Sequence, residues 1–380
     1  MASPAQTLPP EDPTRLSHFF KDSYVFEWGN LSLRTDIIFM LAIAICLFVG
    51  IAVDHPGAGL ISAGGAMTVG FGAKHDIDDS RLRPMIFVSL GIAFSTFVGM
   101  VAGHENFLLV PLAALWGFGY GMLSNRPSGY SWVGQQCVVF LLVSSAFPFS
   151  AKAAAVRALL VLAGGAVQIL CTSLLLHLLT QLHADLLALA QYVRTEELLL
   201  RATVADAARS LRQGQTLHAA LPYATRLAVT LGVSTYIYAK LHFASGYWIP
   251  MTALLVLKPG ISDTVSRAIA RTLGTIAGAF LASFATAHLM PSTYVLAGCT
   301  VLFAWFAYAT LNVNYALFST CLTAYIVFIL SLAGLPSHAI AVRRTVCTAI
   351  GGGLALAVRL VVISYRKRAH TEHNAVSATH

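Results

Sequence analysis

The sequence predicts an all-α membrane protein of about twelve transmembrane helices, and three observations carry that prediction. Hydrophobic residues make up 57% of the 380-residue chain and charged residues only 11%, well under half the share of roughly 25% found in soluble domains. Mean hydropathy is +0.72. Nearly uncharged apolar runs cover residues 37–53, 85–103, 107–123, 154–179, 293–310, 316–334 and 340–364, and about 18 such residues suffice to span a bilayer core. This composition excludes a water-soluble globule. The net charge of +8 therefore bears on membrane orientation and not on nucleic-acid binding.

Taken in order, residues 1–36 form an amino-terminal tail. Pro9, Pro10, Glu11, Asp12 and Pro13 do not fit a basic-then-apolar cleaved signal, so the first span is expected to act as the insertion signal. Residues 37–180 hold six apolar segments, residues 222–364 hold six more, and 365–380 form a second tail. Twelve spans of roughly 20 residues consume about 240 residues, which leaves about four for each loop and no room for a large extramembrane domain. The one sustained polar stretch is 181–221. There Arg194, Glu196, Glu197, Arg201, Asp206, Arg209 and Arg212 alternate with Leu and Ala at helical spacing, as an amphipathic surface linker or a regulatory platform would. Two spans are short and rich in Gly or Pro. Residues 56–72 carry six glycines, and 243–257 contain Pro250 and stop at Pro259-Gly260. Paired interruptions of this kind point to a substrate site at mid-membrane.

With both termini inside, the inner loops hold Lys74, Arg81, Arg83, Arg126, Lys258, Arg267 and Arg271, and the outer side keeps Lys152, Arg157, Lys240, Arg343 and Arg344. The inner excess satisfies the positive-inside rule once the basic middle and the carboxyl tail are added. Asp79-x3-Arg83 recurs as Asp263-x3-Arg267, and Arg157-x6-Gly164-Gly165 recurs as Arg344-x6-Gly351-Gly352, which predicts two parallel six-helix repeats. Within the second half, Arg271-x3-Thr275-x2-Gly278 matches Arg344-x3-Thr348-x2-Gly351. Both place a cation, a hydroxyl and a glycine on one helix face. Their helices enter from opposite sides, as nested inverted three-helix units require, so the two arginines are expected at opposite mouths. The first half has Val161 where the threonine belongs and reads as scaffold more than site.

The string Tyr247-Trp248-Ile249-Pro250-Met251-Thr252, running on to Lys258-Pro259, and then Asp263-Thr264, Arg267, Arg271, Gly274-Thr275 and Gly278, resembles the fusaric acid resistance family. That family includes the aromatic acid exporters of bacterial inner membranes. Asn314-Tyr315-Ala316 with Thr323, and Arg344 with Thr348 and Gly351, continue the pattern. The resemblance implies two six-helix units and export of small amphiphilic carboxylic acids driven by the proton gradient. It also implies the bacterial inner (cytoplasmic) membrane, where the apolar runs and the charge bias give a multi-pass protein with both termini cytoplasmic. Two departures stand out. Cys347 occupies a position where the family often has an acid, and the large cytoplasmic domains of many members have no counterpart in the sequence.

The chemistry expected is an arginine-flanked path for organic anions. Arg267, Arg271 and Arg344 stay cationic at any working pH and grip carboxylates through paired hydrogen bonds. Tyr247, Trp248 and Tyr315 offer faces for an aromatic body. Pro250, Thr252, Lys258, Asp263, Thr275, Asn314, Thr323 and Thr348 complete the expected pathway. None of the sixteen acids lies deep in an apolar run, so Asp263 is the nearest proton-coupling candidate and a passive anion channel stays open as a second reading. A scaffold subunit docking through residues 194–212 is a third. The partners expected are a small organic anion and the lipid bilayer; a homo-oligomer or a partner subunit is left open. The six cysteines sit singly in apolar runs, without metal-ligand spacing. No metal or cofactor is implied. An enzyme is disfavoured: His75-Asp76-Ile77-Asp78-Asp79 lacks the second aspartate-rich motif that a diphosphate chemistry would want, and no nucleophile elbow or phosphate loop occurs.

Overall fold

A computed structural model describes residues 19–77, 80–178, 215–241, 245–289 and 292–377. Most of the polar middle segment, and Asp78 and Asp79 of the acidic cluster and the first repeated motif, therefore lie outside the described residues. Among those described there is no β-strand, only an isolated bridge between Ile77 and Ser80. The helices are α1 Lys21–Tyr24, α2 Leu33–Ala52, α3 Pro56–Gly72, α4 Leu82–Ala102, α5 Asn106–Leu123, α6 Ser128–Ser145 and α7 Ala151–Leu178, then α8 Gln215–Leu241, α9 Trp248–Val256, α10 Ile261–Leu289, α11 Thr293–Thr310, α12 Tyr315–Leu332 and α13 Ser337–Ser377. Seven of them (α4, α5, α7 and α10 to α13) contain stretches long and apolar enough to cross a membrane. The protein is thus an all-helical, multi-span membrane protein.

Helices that miss this standard do so for local reasons. In α6 the polar residues Ser131, Gln135, Gln136, Ser144 and Ser145 dilute the apolar run, and in α8 Arg226, Thr230, Ser234 and Thr235 do the same. The expected 243–257 span contracts to the nine residues of α9, about 14 Å at 1.5 Å per residue. Its Pro250 falls in the first turn, where a missing N–H deprives the helix of little. The expected interruption of 56–72 is absent. Pro56 starts α3 and the helix then runs unbroken for 17 residues, because its glycines serve close packing.

A Cβ on Gly59 would strike the Cys46 carbonyl of α2, and one on Gly65 the Val161 carbonyl of α7. Gly164 of α7 is equally tight against Ser62 of α3. The second half repeats these approaches: Gly351 of α13 meets the Ile249 carbonyl of α9. Likewise Gly99 and Gly103 of α4 meet Leu141 and Ser145 of α6, and Gly274 and Gly278 of α10 meet Ala316 and Thr320 of α12. Small residues at such crossings let backbones approach and gain dispersion contact, the main attraction between helices in lipid.

Between the halves, α5 packs on α8, α2 on α11, and α6 on α9. Gly121 lies on Ala224, Trp305 Nε1 donates to the Leu33 carbonyl at 3.0 Å, and the Tyr308 hydroxyl donates to the Met67 carbonyl at 2.8 Å. The buried cores follow the same plan. One apolar cluster joins α2, α3, α4 and α7 to α11 and α12, and the other joins α5 and α6 to α8, α9 and α13.

Candidate functional site

Between the two halves lies a cavity of about 700 Å³. Residues of α3, α4, α6 and α7 form one wall, including Met67, Phe71, Thr96, Trp132, Gln135, Gln136, Phe140 and Arg157. The other wall comes from the start of α9, from α10 and from α12, with Tyr247, Trp248, Lys258, Arg267, Arg271, Tyr315 and Phe318. The lining is thus mostly aromatic and aliphatic, with four permanent or titrating cations and, among the described residues, no carboxylate.

Each cation is held in its own way. The Arg267 guanidinium lies 3.9 Å from the Tyr315 ring centre and 3.6 Å from the Asp22 carboxylate of α1. The strap that carries Asp22 is tied down beside it. The Asp22 N–H donates to Ser266 Oγ at 2.8 Å, and Asn314 Nδ2 donates to the Val25 carbonyl at 2.7 Å. Lys258, in the connection after α9, has its ammonium pushed down to about 8, first by burial and then by the neighbouring Arg267, against the opposing pull of Asp22 and Asp263. Arg157 lies 4.7 Å from the Phe149 ring and 5.7 Å from that of Phe147. His75, stacked on Trp132 with centroids 5.0 Å apart, is pushed down to about 4 by burial. It is neutral at pH 7 and adds nothing to the charge of the cavity.

Arg271 and Arg344 depart from expectation. Instead of marking opposite mouths, both are buried where α10, α12 and α13 pack together. The reason is geometric: Arg271 is ten residues into α10, about 15 Å along its axis, and α13 packs against α10. Arg344 donates from Nε to Thr323 Oγ1 at 3.3 Å, and its guanidinium lies 4.0 Å from the centre of the Trp248 ring. Among described residues, Arg271 Nε and one terminal nitrogen of Arg344 find no hydrogen-bond partner.

Of the residues singled out in the sequence, Tyr247, Trp248, Lys258, Arg267, Arg271 and Tyr315 line the cavity. Thr323 and Arg344 stand directly behind it. Thr252 packs against Gly351, and Pro250, Thr275 and Thr348 are buried in the same helix junction. Asp263 is exposed. Asn314 caps α12, accepting from the Leu317 N–H at 3.0 Å, and fastens the strap, so its visible part is structural.

Sequence reasoning passed over most of the first-half wall. Trp132, Gln135, Gln136 and Arg157 belong to it, and the adjacent glutamines inside an apolar stretch were the available signal. Also unforeseen is a buried carboxylate. Asp36 in the first turn of α2 is 2% exposed, 2.7 Å from Lys74 Nζ, and accepts from Ser32 Oγ at 2.8 Å. Lys74 also donates to the Tyr308 carbonyl at 2.8 Å, which ties α2 and the end of α3 to α11.

The segment that builds the second-half wall of the cavity is the one that comparison with known proteins identifies. Residues 231–358 match the fusaric acid resistance protein-like family. This fusaric-acid-resistance-like region holds α9 to α12, the carboxyl-terminal part of α8 and the crossing part of α13. The chain is similar to an uncharacterised protein, YhfK, of Escherichia coli (33% identity over 132 residues, 35% of this chain and 19% of the relative). It is also similar to an uncharacterised protein, ORF2, of Neisseria gonorrhoeae (32% identity over 140 residues, 36% of this chain and 32% of the relative). The matches thus span no more than about a third of these relatives. No solved structure matches.

Proposed function

We propose that the protein is an efflux transporter of the bacterial inner membrane that exports small organic acids, aromatic carboxylic acids above all, at the expense of the proton gradient. The observation that carries this reading is the cavity: aromatic walls, Arg157, Lys258, Arg267 and Arg271 in the lining, and no lining carboxylate. An apolar pocket with a few convergent charges is the general form of a small-molecule site, and uncompensated arginines select carboxylates. In the same reading, α2 to α7 and α8 to α13 form two parallel six-helix halves with both termini cytoplasmic, α9 reaching only part-way across the membrane. The packing supports it, since α3 on α7 corresponds to α9 on α13, α4 on α6 to α10 on α12, and α5 on α8 to α11 on α2.

The passive channel keeps one specific observation in its favour. The buried carboxylate among the described residues, Asp36, is neutralised by Lys74 and lies outside the cavity lining, so among the described residues no lining carboxylate is available to carry a proton. Efflux of radiolabelled benzoate from cells with and without the protein separates the two. Protein-dependent export against a gradient, abolished by a protonophore with the electrical potential clamped, is expected of the transporter. Flux only down the electrochemical gradient would replace it with the channel, and no protein-dependent flux of any aromatic acid in a panel would end both.

A further inference from the structure

The three cations of the second-half wall, together with Arg344 behind it, fall into two pairs with different surroundings. Lys258 and Arg267 share the field of two carboxylates, Asp22 and Asp263. Arg271 and Arg344 have no such company. Each is no more than 2% exposed, and among the described residues no ion pair joins a carboxylate to either. Their unused donors are accompanied by the hydroxyls of Thr252, Thr275 and Ser319, which are also buried without partners. These belong to the same junction: Ser319 packs at Gly274, Thr252 packs at Gly351, and Thr275 is one turn beyond Arg271. A buried guanidinium nitrogen left without an acceptor is costly, and a second buried cation in the same helix junction adds repulsion in a low dielectric.

We infer that this site selects doubly charged aromatic acids, with two ionised acid groups on one ring system, over monocarboxylates of similar size. The inference rests on the export reading above and names the substrate class of that cavity. A monocarboxylate cancels one of the two buried charges; a dianion cancels both. Arg271 lines the cavity and makes the direct contact. Arg344 stands behind the Trp248 ring, which also lines it, and acts on the ligand through its field and by holding that ring as a stacking face.

The test uses the purified full-length chain at pH 7.5, with binding read by titration and transport read in proteoliposomes for two probes, benzoate and phthalate. Phthalate is expected to bind about tenfold or more tightly than benzoate, a difference of about 1.4 kcal/mol. Arg271→Gln and Arg344→Gln should each bring that ratio to about one. Arg271→Lys, which keeps the charge, should retain most of the preference and thereby control for folding. Equal affinities in the wild type, or a preference that survives both glutamine substitutions, would overturn the inference. Benzoate bound and moved without preference for phthalate would remove only this inference and leave the export reading in place. Neither acid bound nor moved would remove both.

Discussion

At the scale of single residues, the environment of Lys258 makes a pH prediction. Its ammonium is pushed down to about 8 by burial and by Arg267, so the charge is present at pH 7 and is lost as pH rises through 8. Aromatic carboxylates stay ionised over that range. Benzoate affinity should therefore fall several-fold between pH 7 and pH 9 in the wild type. Lys258→Arg, whose charge persists, should flatten the profile at the high end, and Lys258→Gln should flatten it at the low end. Titration across that interval checks both, and a wild-type profile already flat would contradict the assignment. The arginines were legible in the sequence as types and positions, because a cation, a hydroxyl and a glycine at i, i+4 and i+7 share a face. Their burial in one helix junction was not, since periodicity states which way a residue points on its own helix and says nothing of the helix it points at. Asp36 went unread for a related reason: a charge at a helix end passes for an interfacial one until its partner, 38 residues away, folds against it.

At the scale of helices, the glycines carry the prediction. Gly351 touches the backbone of α9, whereas nothing lies within 4 Å of where a Cβ would stand on Gly353. Gly351→Leu should destabilise the protein by about 1–3 kcal/mol, the usual range for overpacking, and lower its melting temperature in detergent, while Gly353→Leu should change it little. Gly164→Leu, at the corresponding crossing of α7 on α3, should behave like Gly351→Leu. Similar melting of the 351 and 353 variants would mean that the crossing gives way easily. Helix content and the Arg-x6-Gly-Gly repeat could be read from the sequence, since apolar runs and small residues leave strong local signals. The continuity of α3 could not. Its glycines look like breakers along one chain, and only the neighbours Cys46 and Val161 reveal them as points of contact.

At the scale of the whole molecule, the halves are joined by polar contacts set among apolar ones. Lys74 bridges Asp36 and the Tyr308 carbonyl, linking the first half to α11. Removing one member of a buried pair leaves an uncompensated charge and typically costs about 3–5 kcal/mol. Lys74→Met should lower thermal stability accordingly, and adding Asp36→Asn should restore most of the loss. A double variant no more stable than the single one would assign the effect to lost packing of the lysine stem instead. The cavity is a property of this assembly and of neither half alone. Its second-half wall stands out in the sequence because the motif is dense in charged and aromatic residues. Its first-half wall is assembled from Trp132, Gln135, Gln136 and Arg157, which come together only when α6 and α7 fold.

The ion pair between Asp22 and Arg267 bears on how anything enters. Both side chains are about three-tenths exposed, and pairs that open to water contribute only about 0–1 kcal/mol. The protein thus presents a carboxylate of its own to the first arginine of the route, held no more firmly than an incoming one would be. On the proposed route, an arriving acid meets an occupied cation and swaps places with Asp22. The number of charge contacts is the same before and after, so admission has the energetics of an exchange reaction, and its pace is set by how quickly the strap lets go.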